Sequence, residues 1–162
     1  MMKKNVLLFV SITTIMVSVV SLKAQAPYTQ SIGGIAGSYY GASYKTFLLE
    51  DFSLQVDCGA KLLNYWSFDL NPNLMMEKEI KNIGLYWFAG GGVSTGFGMY
   101  YFKTNSAAKI GLNAIGGVEY KFAKIPLTVQ TDIRPGFGIC FGSSRVYPLF
   151  DWASCTSVRY TF

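Results

Sequence analysis

The chain has 162 residues, carries a formal charge of +5 from 14 basic and 9 acidic side chains, and contains no histidine. Without imidazole, Ser-His hydrolysis, the usual neutral-pH acid–base chemistry and most zinc sites are excluded. Three cysteines, Cys58, Cys140 and Cys155, show no metal-ligand spacing, and their odd number argues against a full disulfide framework, although Cys140 and Cys155 could meet across a hairpin.

The N-terminus joins Lys3 and Lys4 to an apolar run from Val6 to Val20, and then to Ala24-Gln25-Ala26. This is the charged, apolar and small-x-small order of a secretory signal peptide over residues 1–26, with a retained anchor as the alternative. Cleavage after Ala26 would remove Lys3, Lys4 and Lys23, leaving 11 basic residues against 9 acids, a charge of +2. No basic run interleaved with stacking aromatics remains, so nucleic acid is set aside. The mature segment, 27–162, suits one domain.

From there the hydrophobic period is two almost throughout. Strands are predicted at 30–37, 41–49, 52–63, 66–76, 83–100, 108–122, 126–140 and 150–162, although 31–47 could be one long strand. In the third, Phe52, Leu54, Val56, Cys58, Ala60 and Leu62 oppose Ser53, Gln55, Asp57 and Lys61. The fifth lies in a stretch with no formal charge, Ile83 to Phe102, long enough for a membrane helix. Six glycines there (Gly84, Gly90, Gly91, Gly92, Gly96, Gly98), each costing about 1 kcal/mol in a helix, argue for a strand instead, with a bulge expected near Gly90 to Gly92. The sixth sets Ile110, Leu112, Ala114, Val118, Tyr120 and Phe122 against Lys109, Asn113, Glu119 and Lys121. The seventh sets Leu127, Val129, Ile133, Phe137 and Ile139 against Thr128, Gln130, Asp132 and Arg134. The last sets Phe150, Trp152, Val158, Tyr160 and Phe162 against Asp151, Ser157 and Arg159. Turns are predicted at "LLED", at "EKEIKN" (Glu77 to Asn82) and at "AKIP", with looser segments at "KTNSA" and "GSSRVYP".

Short turns between strands of this kind describe an antiparallel meander. A soluble barrel would put its apolar face inside, as the core of a periplasmic protein that binds an apolar ligand; a membrane barrel turns it to lipid. Aromatics at strand ends (Tyr39, Tyr40, Tyr65, Trp66, Tyr86, Trp87, Tyr100, Tyr101, Tyr120, Phe122, Trp152, Tyr160, Phe162) and charges of both signs along the polar face favour the second. The expected fold is all-β: an eight-stranded antiparallel up-and-down transmembrane β-barrel.

The stretches "GASYKTFLLEDFSLQVDCGAKL", "IGLYWFAGGGVSTGFG", "AIGGVEYKFAKIPLTVQTDIRPGFG" and "SVRYTF" resemble small outer-membrane β-barrel proteins of the Bacteroidetes type, a family largely without assigned biochemistry. The resemblance covers most of the mature chain and implies both termini in the periplasm. It also implies that Val158, Tyr160 and Phe162 form the C-terminal signal read by the barrel assembly machinery.

The main polar constellation is the predicted lumen set: Lys45, Asp57, Lys61, Asp69, Glu119, Lys121, Asp132, Arg134, Asp151 and Arg159. Unpaired charges in a narrow interior are costly, so a plug of ion pairs is the expected arrangement, with a narrow channel for small solutes as the rival. "GGGVSTGFG" lacks the Gly-Lys-Ser/Thr ending of a phosphate cradle. Asp69, Asn71 and Asn73 could hold a cation but read better as a lumen-facing strand. Tyr39, Tyr40, Arg145, Tyr147 and the segment Lys103 to Ala107 are expected at the extracellular rim. The functional expectation is a non-enzymatic envelope protein in contact with outer-membrane lipid, needing no cofactor or metal.

Overall fold

Alternation of apolar and polar residues builds eight strands in the computed structural model, which describes residues 28–61, 66–80, 83–98, 107–142 and 146–162. The predicted signal peptide lies outside the described residues, as do Leu62, Tyr65, Met99, Tyr100, Tyr101, Arg145 and positions 103–106. The strands are β1 (Gln30–Gly37), β2 (Tyr40–Leu49), β3 (Phe52–Lys61), β4 (Ser67–Ile80), β5 (Leu85–Gly98), β6 (Ala107–Lys121), β7 (Leu127–Phe141) and β8 (Val146–Thr161). Each pairs antiparallel with its sequence neighbours, and β8 closes on β1, giving an up-and-down barrel.

The segment 31–47 is a hairpin that turns at Ser38 and Tyr39. β4 continues through the predicted "EKEIKN" turn to Ile80, because Glu77 stays in phase with Asp69, Asn71 and Asn73 and finds cations in the lumen. The turn that follows uses Gly84 at φ 75°, where a Cβ would lie 2.8 Å from the Lys121 carbonyl oxygen. β8 begins at Val146 rather than near 150, since Val146, Pro148 and Phe150 already alternate with Tyr147 and Leu149.

No bulge interrupts Gly90 to Gly92. Gly90 faces Met75 and Ile115, and Gly92 faces Asn73 and Asn113, in unbroken register. What the lumen-facing glycines permit is close approach: a Cβ on Gly92 would sit 2.0 Å from the Pro72 carbonyl oxygen and 2.8 Å from the Asn73 Cα. Gly92→Ala is therefore expected to destabilise the barrel by about 1–3 kcal/mol, as overpacking against backbone does. Gly91→Ala, on the outer face with its nearest contact at 3.1 Å, should cost less. Urea midpoints of the two refolded variants test the difference.

Following paired residues around the ring from Ser31 through Lys45, Gln55, Asn73, Gly92, Asn113 and Gly136 reaches Asp151, ten residues along β8 from Thr161, the residue that faces Ser31 where the ring closes. That stagger in an eight-stranded barrel tilts the strands by roughly 40° and leaves an interior that side chains can fill.

The outer wall is apolar. Leu74, Phe97, Leu112, Ile133, Phe137 and Phe150 are 49–70% exposed, and Lys78, near one end, is the single charged side chain pointing outward among the described strand residues. A soluble barrel would show the reverse, so the periplasmic alternative with an apolar ligand core is overturned. Outward aromatics mark both ends: Trp87, Tyr120, Phe122 and Phe162 on the side of the termini, and Tyr40, Trp66, Phe68, Phe97 and Phe141 on the other.

Candidate functional site: a charged lumen in three tiers

The inward faces of the strands deliver every member of the predicted polar set into one interior. They also deliver two charges outside that set, Glu77 and Lys109, making six cations and six acids. Lys109 carried the right phase in the sixth strand, and Glu77 was in phase with Asp69 but hidden by a charge-rich run that imitates a turn.

The tier nearest the termini is centred on Lys45 of β2, which is fully buried and pairs with both Glu77 and Glu119. Arg159 of β8 donates to Glu119 at 3.2 Å, to Ser43 at 3.1 Å, to Ser157 at 2.9 Å and to Gln130. Ser53 donates to Glu77 at 2.8 Å, and Lys121 lies 3.6 Å from the other Glu77 oxygen. Lys121 also sits over the rings of Tyr86 at 3.7 Å and of Tyr28 and Phe47 at 4.7 Å, an aromatic enclosure that suits a desolvated ammonium. Tyr28, just ahead of β1, folds into the mouth and donates to Glu119 at 2.8 Å. Burial and the neighbouring Glu119 push its phenol above the usual value, keeping it a donor. Beside this tier Met75, Phe88 and Ile115 form a small apolar cluster inside the lumen.

In the middle tier Arg134 grips Asp132 with two bonds, Nε to Oδ1 at 2.6 Å and Nη2 to Oδ2 at 2.9 Å. Its Nη1 reaches Asp57 at 2.5 Å and also donates to the Tyr39 hydroxyl. Gln55 and Gln130 each donate to the neighbouring aspartate at 2.8 Å. Tyr39, expected at the rim, is thus 2% exposed and packed inward, because the tight β1–β2 turn drops its ring onto Gly59, whose missing Cβ leaves the space. Tyr147, also expected at the rim, lies in β8 with its side chain on the inner face.

The upper tier joins Lys61, Lys109, Asp69 and Asp151. Lys61 donates to both oxygens of Asp151, at 2.8 and 2.6 Å; Lys109 reaches Asp151 at 3.0 Å and Asp69 at 2.8 Å. Lys109 therefore stands where a cation on Asp69 would have to sit, while Asn73 accepts from Asn113 at 2.5 Å. By formal charge the tiers carry +1, −1 and 0. "GGGVSTGFG" forms the last nine residues of β5 and pairs with β4 and β6, so it is strand and not a loop cradle.

Cys140 and Cys155 are free. Cys140 faces Tyr147 while Cys155 faces Asp132, an offset of eight residues along the β7–β8 ladder. That is roughly 26 Å, beyond any disulfide. Val158 and Phe162 point outward at the terminal end, and Phe162 closes the ring through backbone bonds with Gln30 at 2.9 and 3.1 Å.

Closed strands, an apolar outer wall and a charged interior define a small eight-stranded transmembrane barrel. No protein-family model and no curated protein matches the chain. Two solved structures share its fold. The N-terminal β-barrel domain of OprF from Pseudomonas aeruginosa aligns with a TM-score of 0.65 at 15% identity, over 85% of this chain and 100% of that one. Neisserial surface protein A (NspA) aligns with a TM-score of 0.60 at 12% identity, over 83% of this chain and 96% of that one.

Proposed function

We propose that this chain is a non-enzymatic integral barrel of the outer membrane, of the Bacteroidetes type suggested by its sequence, with a structural or interaction role at the cell envelope. The observation that carries this reading is the lumen: twelve charged side chains, six of each sign, tied to one another across strands. Such a network blocks a bore rather than lining one. Every lumen carboxylate is held by a lysine or arginine, and no histidine is present to take up proton transfer, which weighs against catalysis. Outer-membrane lipid would surround the wall. A leader over residues 1–26 would deliver the chain, and Val158, Tyr160 and Phe162 would present the outward C-terminal signal to the assembly machinery.

Conductance across planar bilayers tests the plug. The purified barrel is expected to show no steady current in either polarity at moderate salt. Reproducible single-channel steps would replace the plug with the rival reading, a narrow conduit for small solutes.

A further inference from the structure

Each lumen cation meets an acid: Lys45, Lys61, Lys109, Lys121 and the two arginines are all ion-paired. Lys78 is different. It points outward from β4 near the end that carries the termini, and no acid pairs with it among the described residues. The acids beside it in sequence are engaged elsewhere: Glu77 faces Lys45 in the lumen, and Glu79 accepts from the Gly84 N–H at 3.0 Å. Glu50 and Asp51 lie on the β2–β3 turn, where the Asp51 carbonyl accepts from the Glu77 N–H at 2.8 Å, and neither carboxylate pairs with Lys78. An ammonium on a lipid-facing wall is costly without a counter-charge, so that charge has to come from outside the chain.

Two further donors stand beside it. Lys78 faces Trp87 directly in the β4–β5 ladder, which puts their Cβ atoms roughly 5 Å apart. Trp87 in turn faces Val118 of β6, and Tyr120, opposite Leu85, is the next outward residue toward the terminal end, diagonal to Trp87 at roughly 7 Å. Both aromatics are exposed, Trp87 at 37% and Tyr120 at 42%. Phe122 braces the Tyr120 ring edge-on at 4.9 Å between centroids, and neither the Tyr120 hydroxyl nor the Trp87 indole N–H is spent on a partner among the described residues. On the other flank β3 begins at Phe52, opposite Met76, so no strand stands beside Lys78 and a headgroup has lateral room. Three adjacent strands thus present an ammonium, an indole N–H and a phenol at one level of the outer wall, with no carboxylate among them.

From this constellation we infer that Lys78, Trp87 and Tyr120 form a phosphate site for a glycerophospholipid in the leaflet on the side of the termini, and that the site favours a head with net negative charge. The inference rests on the membrane-barrel reading. Phosphate oxygens accept from all three donors, and the phosphate supplies the counter-charge that Lys78 lacks. A head that carries its own ammonium already neutralises its phosphate and brings a second cation toward Lys78, so it gains less. A protein partner is disfavoured, because Lys78 continues the outward row of Leu70, Leu74 and Met76 along β4, which lies against lipid.

The test uses the full mature barrel in phosphatidylcholine nanodiscs doped with phosphatidylglycerol, with retained lipid counted by native mass spectrometry. Phosphatidylglycerol is expected to be retained about fivefold above its share of the disc. Lys78→Gln, confirmed folded by its unheated gel mobility, should remove that preference. Trp87→Phe and Tyr120→Phe, which keep a ring and delete one donor each, should each lower it about twofold. Lys124→Gln, at an exposed position of the β6–β7 turn, is the control and should leave it unchanged. Equal retention of the two lipids by the wild type overturns the site, as does undiminished preference in Lys78→Gln. A loss in Lys124→Gln as large as in Lys78→Gln overturns the placement, since surface charge at large would then account for the preference. Displacement of the retained lipid by an equimolar amount of inorganic phosphate overturns the lipid as the source of the phosphate. A wild type that never inserts into the discs overturns the membrane reading itself, a result distinct from an inserted barrel that shows no preference.

Discussion

Lys45→Met is expected to destabilise the barrel by about 3–5 kcal/mol, the cost of leaving buried charge without its partner. Lys45 is 0% exposed and is the cation shared by Glu77 and Glu119, which are themselves 3% and 0% exposed. After the substitution Glu119 keeps Arg159 at 3.2 Å, whereas Glu77 keeps only the more distant Lys121 at 3.6 Å and the Ser53 hydroxyl. Urea-driven unfolding in lipid vesicles, read by the mobility of unheated samples, gives the change. Pairing the substitution with Glu77→Gln should recover a large part of the loss, because the two effects share one interaction and do not add. A single variant that costs less than about 1 kcal/mol would mean that water reaches this tier and screens it, and the plug would have to be abandoned.

Ile133→Arg should cost about 2–4 kcal/mol in a bilayer, the range for a cation on the lipid face near the midplane. Ile133 is 49% exposed, near the middle of β7, and lies between Asp132 at 1% and Arg134 at 4%. In a water-soluble barrel an arginine at a half-exposed site would change stability by no more than about 0.5 kcal/mol. The same vesicle-based unfolding measurement therefore asks what solvent the wall faces. A near-neutral result would put that face in water.

Two regions that the sequence obscured show why local signals fail at particular places. Glu77 opens a run of six residues, Glu77 to Asn82, in which four are charged, and such composition ordinarily marks a solvated turn. Here Glu77 to Ile80 continue the strand in phase, and cations from β2 and β6 meet Glu77 in the lumen. Tyr39 carried an aromatic signal for the membrane interface, yet the hairpin turn sends it inward to Arg134, contacted across 95 residues of sequence. Neither partner is visible from either position alone. The fifth strand was the opposite case: its glycines ruled out a helix, and alternation placed Trp87, Val93 and Phe97 outward, where they lie.

The sequence by itself determined the strand alternation and, for each residue of the polar set, which side of the wall it faces, while it left open whether 31–47 is one strand or a hairpin. A two-residue period is a local property, and it survives whatever the strand pairs with. Only the tertiary structure decided which charges meet, since Lys45 reaches Glu119 across 74 positions and Lys61 reaches Asp151 across 90. It also decided where the ring closes, with Ser31 facing Thr161 and Gly37 facing Cys155. Stagger accumulates strand by strand and is fixed only when β8 closes on β1, so it belongs to the whole ring and to no single segment.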